Sequence, residues 1–280
     1  MDARRAFYAQ FRRLHDEGCF LIPNPWDAGT AVALAALGFP ALATTSAGFS
    51  FSKGLPDSLA VLSVDDALRH ITDIVEAVSL PINADFQSGY AANLDELARN
   101  VTDCVATGVA GLSIEDATGD PQQPLFELPE AAERISAARS AIDESGTDVV
   151  LTGRAECFLY GHPDPLAESI RRLQAYAEAG ADVLFAPGIH AREDIAALVD
   201  AVRPYPVNVL MSTYTGMTTT DLAQLGVRRI SVGSALSRVT WGAFLNAARE
   251  MLSEGTFRLL AGGTSFAELN KLFNSASGHS

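Results

Sequence analysis

Five short stretches of this 280-residue chain end in polar residues of the kinds that hold metals and small anions. They are Ala43-Thr44-Thr45-Ser46-Ala47-Gly48, Asn83-Ala84-Asp85, Ser113-Ile114-Glu115-Asp116, Thr152-Gly153-Arg154-Ala155-Glu156 and Pro206-Val207-Asn208-Val209-Leu210. Each follows or includes an apolar run short enough to be a buried strand. The set is rich in carboxylates and contains one arginine. Oxygen-only ligands of this type suit Mg2+ or Mn2+, and Mg2+ usually keeps several waters. A guanidinium offers planar two-point contact to a carboxylate. The chemistry implied is a divalent cation together with a small anionic substrate.

Asp85 ends its apolar run and is expected to line a pocket rather than cap a turn. Neighbouring residues on a strand face opposite ways, so only one of Glu115 and Asp116 should reach the same side, and Glu115 is favoured. Asp57, in Gly54-Leu55-Pro56-Asp57-Ser58, would by itself be an ordinary turn residue. Arg154 lies among Leu151, Thr152, Gly153 and Ala155, where a solvated charge is out of place. It is read as a clamp for a substrate carboxylate, or as a buried partner of Glu156 or Glu115. Ser46, Ala47 and Gly48 are small enough to let backbone N–H groups approach an anion. Asn208 sits inside an apolar strand, where its amide either satisfies a neighbouring strand or faces substrate. The histidines lack partners: His15, His70 and His279 read as surface or terminal, His162 and His190 as loop residues.

These groups are far apart in sequence, so the elements must gather them. Strand and helix patterns alternate along the whole chain, which argues for a parallel sheet. Eight strands are expected: Phe20–Pro23, Ala41–Thr45, Pro81–Asp85, Gly111–Ile114, Val149–Thr152, Val183–Ala186, Val207–Met211 and Arg229–Val232. Asp27 should cap one helix and Gly38 end it; Ser63-Val64-Asp65-Asp66 resembles a capping box. Eight such pairs make a (β/α)8 TIM barrel, whose strand ends meet on one face. The barrel is expected over residues 1–255 as the catalytic domain. Residues 256–280 form a C-terminal helical extension, with a helical segment at Ser265–Phe273 whose apolar face could pack on a neighbouring subunit.

Composition narrows the function. The net charge of −14 argues against nucleic acid and an anionic membrane surface. No signal peptide or membrane-length apolar run is visible. Cys19, Cys104 and Cys157 are odd in number and without metal-ligand spacing, so a cytoplasmic protein is expected. The only lysines, Lys53 and Lys271, end no expected strand, which leaves Schiff-base chemistry without a nucleophile. No dinucleotide fingerprint, P-loop or nucleophile elbow is present.

The chain resembles the isocitrate lyase/phosphoenolpyruvate mutase superfamily over roughly residues 5–255. The resemblance rests on Asn24-Pro25-Trp26-Asp27, Thr45-Ser46-Ala47, Gly54-Leu55-Pro56-Asp57, Ala84-Asp85, Ile114-Glu115-Asp116, Arg154-Ala155-Glu156, Gly180-Ala181-Asp182 with Phe185-Ala186-Pro187-Gly188, and Gly226-Val227-Arg228-Arg229-Ile230-Ser231. It implies Mg2+ in the barrel mouth and a 2-oxo or 2-hydroxy carboxylate ligand. Ser46, Ala47, Gly48 and Arg154 would hold the carboxylate. Asp85 would lie nearest the metal, with Asp57 and Glu115 acting directly or through waters. It also implies a homo-oligomer, a dimer or a tetramer, with C-terminal helices swapped between neighbours. The shared chemistry makes or breaks a C–C or P–C bond beside an enolate.

Two departures shape the functional expectation. The loop Ala117-Thr118-Gly119-Asp120-Pro121-Gln122-Gln123-Pro124-Leu125 lacks the cysteine and histidine of the lyases and the lysine and asparagine of the phosphonate enzymes. The superfamily's second strand-three acid is Gln87 here, which can bond a metal-held water but brings no charge. The expected activity is a Mg2+-assisted lyase or decarboxylase on a small 2-oxo or 2-hydroxy di- or tricarboxylate, similar to 2-methylisocitrate lyase or an oxaloacetate enzyme. The alternatives are a phosphonate enzyme of the carboxyphosphonoenolpyruvate or phosphoenolpyruvate mutase type, and a 2-oxo-acid binding protein with vestigial catalysis.

Overall fold

The computed structural model describes residues 2–59 and 61–276. Eight strands alternate with helices: α1 Asp2–Asp16, β1 Phe20–Ile22, α2 Ala28–Ala36, β2 Leu42–Ala43, α3 Ser46–Ser52, α4 Val64–Ala77, β3 Ile82–Asp85, α5 Leu94–Ala106, β4 Gly111–Glu115, α6 Leu128–Glu144, β5 Val150–Arg154, α7 Pro165–Glu178, β6 Val183–Phe185, α8 Arg192–Ala201, β7 Val207–Leu210, α9 Thr219–Gln224, β8 Arg229–Ser231, α10 Ala235–Glu254 and α11 Phe266–Ala276. The strands are parallel and ordered β1-β8-β7-β6-β5-β4-β3-β2. This is the expected (β/α)8 barrel.

Closure between β2 and β1 depends on few bonds. Ala43 N–H donates to Pro23 O at 3.1 Å. The Asn24 amide adds a staple: its Nδ2 donates to Thr44 O at 2.9 Å, and its Oδ1 accepts from Val232 N and Gly233 N at 3.0 and 2.8 Å. One buried side chain thus ties β2 to the end of β8 across β1.

Local chemistry sets the helix starts. Asp27 and Thr30 form a reciprocal cap on α2, and Ser63 and Asp66 do the same on α4, satisfying donors that a helix start leaves open. One element departs from expectation. Ser46-Ala47-Gly48 is not an open turn but the first turn of α3, with the Thr45 side chain accepting from Gly48 N. That cap makes a helix from Ser-Ala-Gly-Phe-Ser-Phe-Ser, a run whose own propensity is low.

Two histidines also differ from expectation. His15 packs edge-on to Phe11 and Phe20, and His70 stacks on Phe49 at 3.8 Å; both are buried. Each lies on the inner face of an amphipathic helix, a position its polar neighbours in the sequence conceal. His279 lies outside the described residues.

The C-terminal elements behave differently from the rest. Only Ser237 and Glu250 of α10 are buried, while Val239, Phe244 and Leu252 are 69%, 59% and 90% exposed. Phe257, Phe266 and Leu269 beyond it are exposed as well. The final helix, α11, returns to pack on α2. No helix among the described residues is long and apolar enough to cross a membrane.

Candidate active site

The strand ends gather the expected acids around Arg154. Its Nη1 reaches Asp85 Oδ1 and Glu115 Oε2, each at 3.2 Å, and its Nε donates to Glu156 Oε1. The ring of Phe185 lies 5.3 Å from the guanidinium. Burial alone would lower the Arg154 pKa, but Glu115, Glu156 and Asp85 outweigh it and hold the group protonated. Burial pushes the carboxyls of Glu115 and Glu156 up, against the pull of Arg154. Asp57 is raised too, first by burial and then by Asp85. Four carboxylates surround one cation, so the mouth attracts positive charge.

Glu115 and Asp116 diverge as strand alternation requires. Glu115 joins the mouth. Asp116 turns into the wall, where it accepts from Arg172 Nη1 at 2.9 Å, Tyr176 OH at 2.6 Å and Glu156 N at 2.9 Å. It holds the segment that carries Glu156 beside Arg154.

The carboxylate cradle expected at Ser46 is already engaged. Ser46 N–H and Oγ–H both donate to Asp85 Oδ2 at 2.9 Å. Thr44 Oγ1 accepts from Asp85 N at 2.9 Å. Ser46 and Ala47 line the cavity, whereas the Gly48 N–H is taken by Thr45 Oγ1. Arg154 is likewise surrounded by acids, in line with the buried-partner reading of this residue.

Gln87 follows β3 in a left-handed conformation, φ 47°, and Tyr90 has φ 52°. Such values are uncommon for residues with side chains and gather at functional sites. The turn is held from outside: Arg134 Nη2 donates to Ser88 O and Ala91 O at 2.6 and 2.9 Å. Gln87 O accepts from Glu115 N at 3.0 Å, which fixes the strand end carrying that acid. The Gln87 side chain lines a recess of about 170 Å³ shared with Asp57, Glu115, Glu156 and Tyr160. The loop 117–127 folds on itself through an Ala117–Leu125 bridge and lines neither this recess nor the main cavity.

Beneath the mouth lies a cavity of about 290 Å³ that descends into the barrel. Asn208 bonds the neighbouring strand, one of the two roles anticipated for it, and also lines this cavity. Its Oδ1 accepts from Arg229 Nε, and its Nδ2 donates to Ser231 Oγ, both at 3.0 Å. Arg229, Asn83, Ser113, Ser231 and Arg238 also line the cavity, and the sequence reading missed them. The available signal was alternation: in β8, Arg229 and Ser231 share the face opposite Ile230. The sequence places Arg229 at the start of a strand without giving it a role; adjacent Arg228 bonds Gly18 O.

The residues fit a hydrated divalent cation better than a fully dehydrated one. The clustered acids supply excess negative charge. Among the described residues, no three His, Cys, Asp or Glu side chains converge as a direct ligand set. Asp85 would be nearest such a cation, with Asp57 and Glu115 acting directly or through waters and Gln87 through a water, in keeping with the hydration that Mg2+ retains.

The phosphoenolpyruvate phosphomutase family matches residues 11–252. A Burkholderia cenocepacia J2315 structure described as a lyase/mutase is 45% identical, with a TM-score of 0.93 over 97% of this chain and 98% of that one. The 2-methylisocitrate lyase of Escherichia coli K12 is 33% identical over 177 residues, 61% of this chain and 58% of the relative. A phosphonopyruvate hydrolase solved with oxalate and Mg2+ is 25% identical, with a TM-score of 0.83 over 99% of this chain and 96% of that one. The chain is an enzyme of the isocitrate lyase/phosphoenolpyruvate mutase superfamily and belongs to its phosphoenolpyruvate phosphomutase family.

Proposed function

We propose that this enzyme is a Mg2+-assisted lyase or decarboxylase that cleaves a C–C bond in a small 2-oxo or 2-hydroxy di- or tricarboxylate. The observation that carries this reading is the excess of acids over cations at the mouth, with Arg154 consumed by Asp85, Glu115 and Glu156. A divalent cation bound there supplies the charge that stabilises an enolate oxygen. A phosphono group would demand more unpaired positive charge beside the metal than this mouth provides.

The chain's own residues have separable tasks. Asp85, oriented by Ser46 and Thr44, would hold the cation. Asp57 and Glu115 would assist directly or through waters, and Gln87 through a water. Cleavage releases one fragment as CO2 or, from a 2-hydroxy substrate whose hydroxyl proton must be taken up, as a new 2-oxo acid. The electron pair of the broken bond stays on the carbon beside the other fragment's carbonyl or carboxylate, and that carbon must gain a proton. The absent loop cysteine leaves this task to groups at the recess. Asp57, its carboxyl raised first by burial, and the Tyr160 phenol line that recess without an ion pair or hydrogen bond to Arg154 and are the candidates for this proton transfer. Asp116 positions rather than reacts.

The test is turnover of 2-oxo and 2-hydroxy di- and tricarboxylates with Mg2+ and with EDTA. Activity that needs Mg2+ and falls at least about 100-fold in Asp85→Ala, roughly the loss expected when a main electrostatic stabiliser is removed, supports the reading. Metal-independent turnover, unchanged in Asp85→Ala, rejects it. Phosphonopyruvate turnover far above any carboxylate's moves the assignment to the phosphonate enzymes.

A further inference from the structure

The interior of the barrel just below the mouth is polar where such barrels usually stack Val, Ile and Leu. Asn83, Ser113, Thr152, Asn208, Arg229 and Ser231 are all buried there. Arg229 is the most costly of them, a buried cation with no carboxylate within ion-pair distance among the described residues. It is held by neutral acceptors only: Asn208 Oδ1 at 3.0 Å, Thr152 Oγ1 at 3.0 Å and His15 Nε2 at 3.4 Å. The His15 ring is set up to accept. Its Nδ1–H donates to Phe11 O at 2.8 Å, which leaves the Nε2 lone pair facing Arg229. Burial, with Arg229 and Arg12 adding to it, lowers the His15 pKa to about 3, so the ring stays neutral and cancels no charge.

A guanidinium has five N–H groups, and these three contacts leave one on each Nη. Nearby, Asn208 retains a second amide hydrogen and Ser231 its hydroxyl hydrogen, while Asn83 Oδ1 is buried with no partner. An unpaired buried charge is expensive to keep. Burial alone depresses the Arg229 pKa to about 9, with no acid nearby to restore it. The cavity is therefore electrically divided, with surplus acid at the mouth and an uncompensated cation on the floor.

We propose that Arg229 is a specificity-determining residue that receives the distal carboxylate of the substrate while its 2-oxo or 2-hydroxy acid end stays at the mouth. This inference rests on the lyase reading above. Arg229 bonds Thr152, two residues below Arg154 on β5, a drop of about 6.6 Å at ~3.3 Å per residue. That is about the reach of a four-carbon dicarboxylate, and it makes the enzyme selective for dianions over monocarboxylates that share the same reactive end.

The experiment is calorimetric titration of the full-length protein in MgCl2 with three probes, each checked in parallel for turnover. Oxalate tests the mouth alone. L-lactate and L-malate share a 2-hydroxy acid end, and only malate has a distal carboxylate. The expected result is tenfold or tighter binding of malate over lactate. Arg229→Gln should bring malate to the level of lactate and leave oxalate unchanged, and Arg229→Lys should restore part of the preference. Equal binding of lactate and malate by the native protein overturns the proposal even if every Arg229 variant fails to fold. A preserved malate preference in folded Arg229→Gln also overturns it and leaves Arg229 as core support for Asn208. Failure of oxalate to bind the native protein removes the lyase reading itself, and this inference with it.

Discussion

Arg154 shows how much of a residue's setting a sequence can carry. Its place at a strand end was legible, because a charge inside Leu-Thr-Gly-Arg-Ala cannot be a solvated surface group. Pairing with Glu156 or Glu115 was legible too, but the added contact with Asp85 was not, because it depends on β3 and β5 meeting across the mouth. Arg229 was harder still: its place in β8 was expected, but the partners on other strands that bury it were not. His70 gives a testable consequence at this scale. Burial, with a further push from Lys53 against the pull of Asp27, lowers its pKa from 6.5 to about 4. The unfolded chain therefore takes up this proton before the folded one does. The associated stability is complete above about pH 6.5 and is lost as pH falls toward 4. At pH 5 the loss is about 2 kcal/mol, from ~1.4 kcal/mol per pH unit. Urea denaturation of native protein and His70→Phe at pH 7 and pH 5 should show the variant losing about that much less. Equal losses would mean that His70 titrates normally.

Among the elements, α3 carries the largest surprise. The eight strands were readable from short apolar runs, and the capped helices from Asp27 and Ser63. Residues 46–52 offered no such pattern, because the helix exists through the Thr45 cap and its packing rather than through propensity. Its glycine is there for space. A Cβ on Gly48 would stand 2.6 Å from Thr45 Cγ2 and 3.0 Å from Trp26 Cβ. Gly48→Ala should therefore push the first turn off Trp26 and rotate Ser46 away from Asp85. A destabilisation of about 1–3 kcal/mol is expected, as for other overpacked sites. The accompanying fall in Mg2+-dependent activity should exceed what the lost folded fraction explains. Thermal melting with parallel activity assays checks this, and full activity in a folded variant would show that α3 has slack.

At the level of the whole molecule, α10 does not cover its own barrel, and Phe257 and Phe266 beyond it are exposed as well. Large apolar side chains exposed in this number mark an interface. The expected occupant is a second copy of the chain, exchanging these helices with its neighbour. Light scattering should give a dimer or tetramer for the native protein. Trp241→Glu with Phe244→Glu should shift it toward monomer. A native monomer would instead leave the face to another partner. The sequence indicated the apolar segment but not that α10 itself stands off the barrel, because amphipathic spacing does not say whose surface a helix covers.

The seam beside α3 has a dynamic consequence. The ring of strands closes there through the Ala43–Pro23 bond and the Asn24 amide, while β3 through β8 are joined by regular ladders. Local opening follows the fewest bonds, so amide exchange should begin at Ala43, Val232 and Gly233. Opening at that point parts Ile22 and Asn24 from Ala43 and Thr44, which line the cavity on either side, and breaches its wall with most of the barrel still intact. Warming would then silence the enzyme reversibly, several degrees before the fold itself gives way.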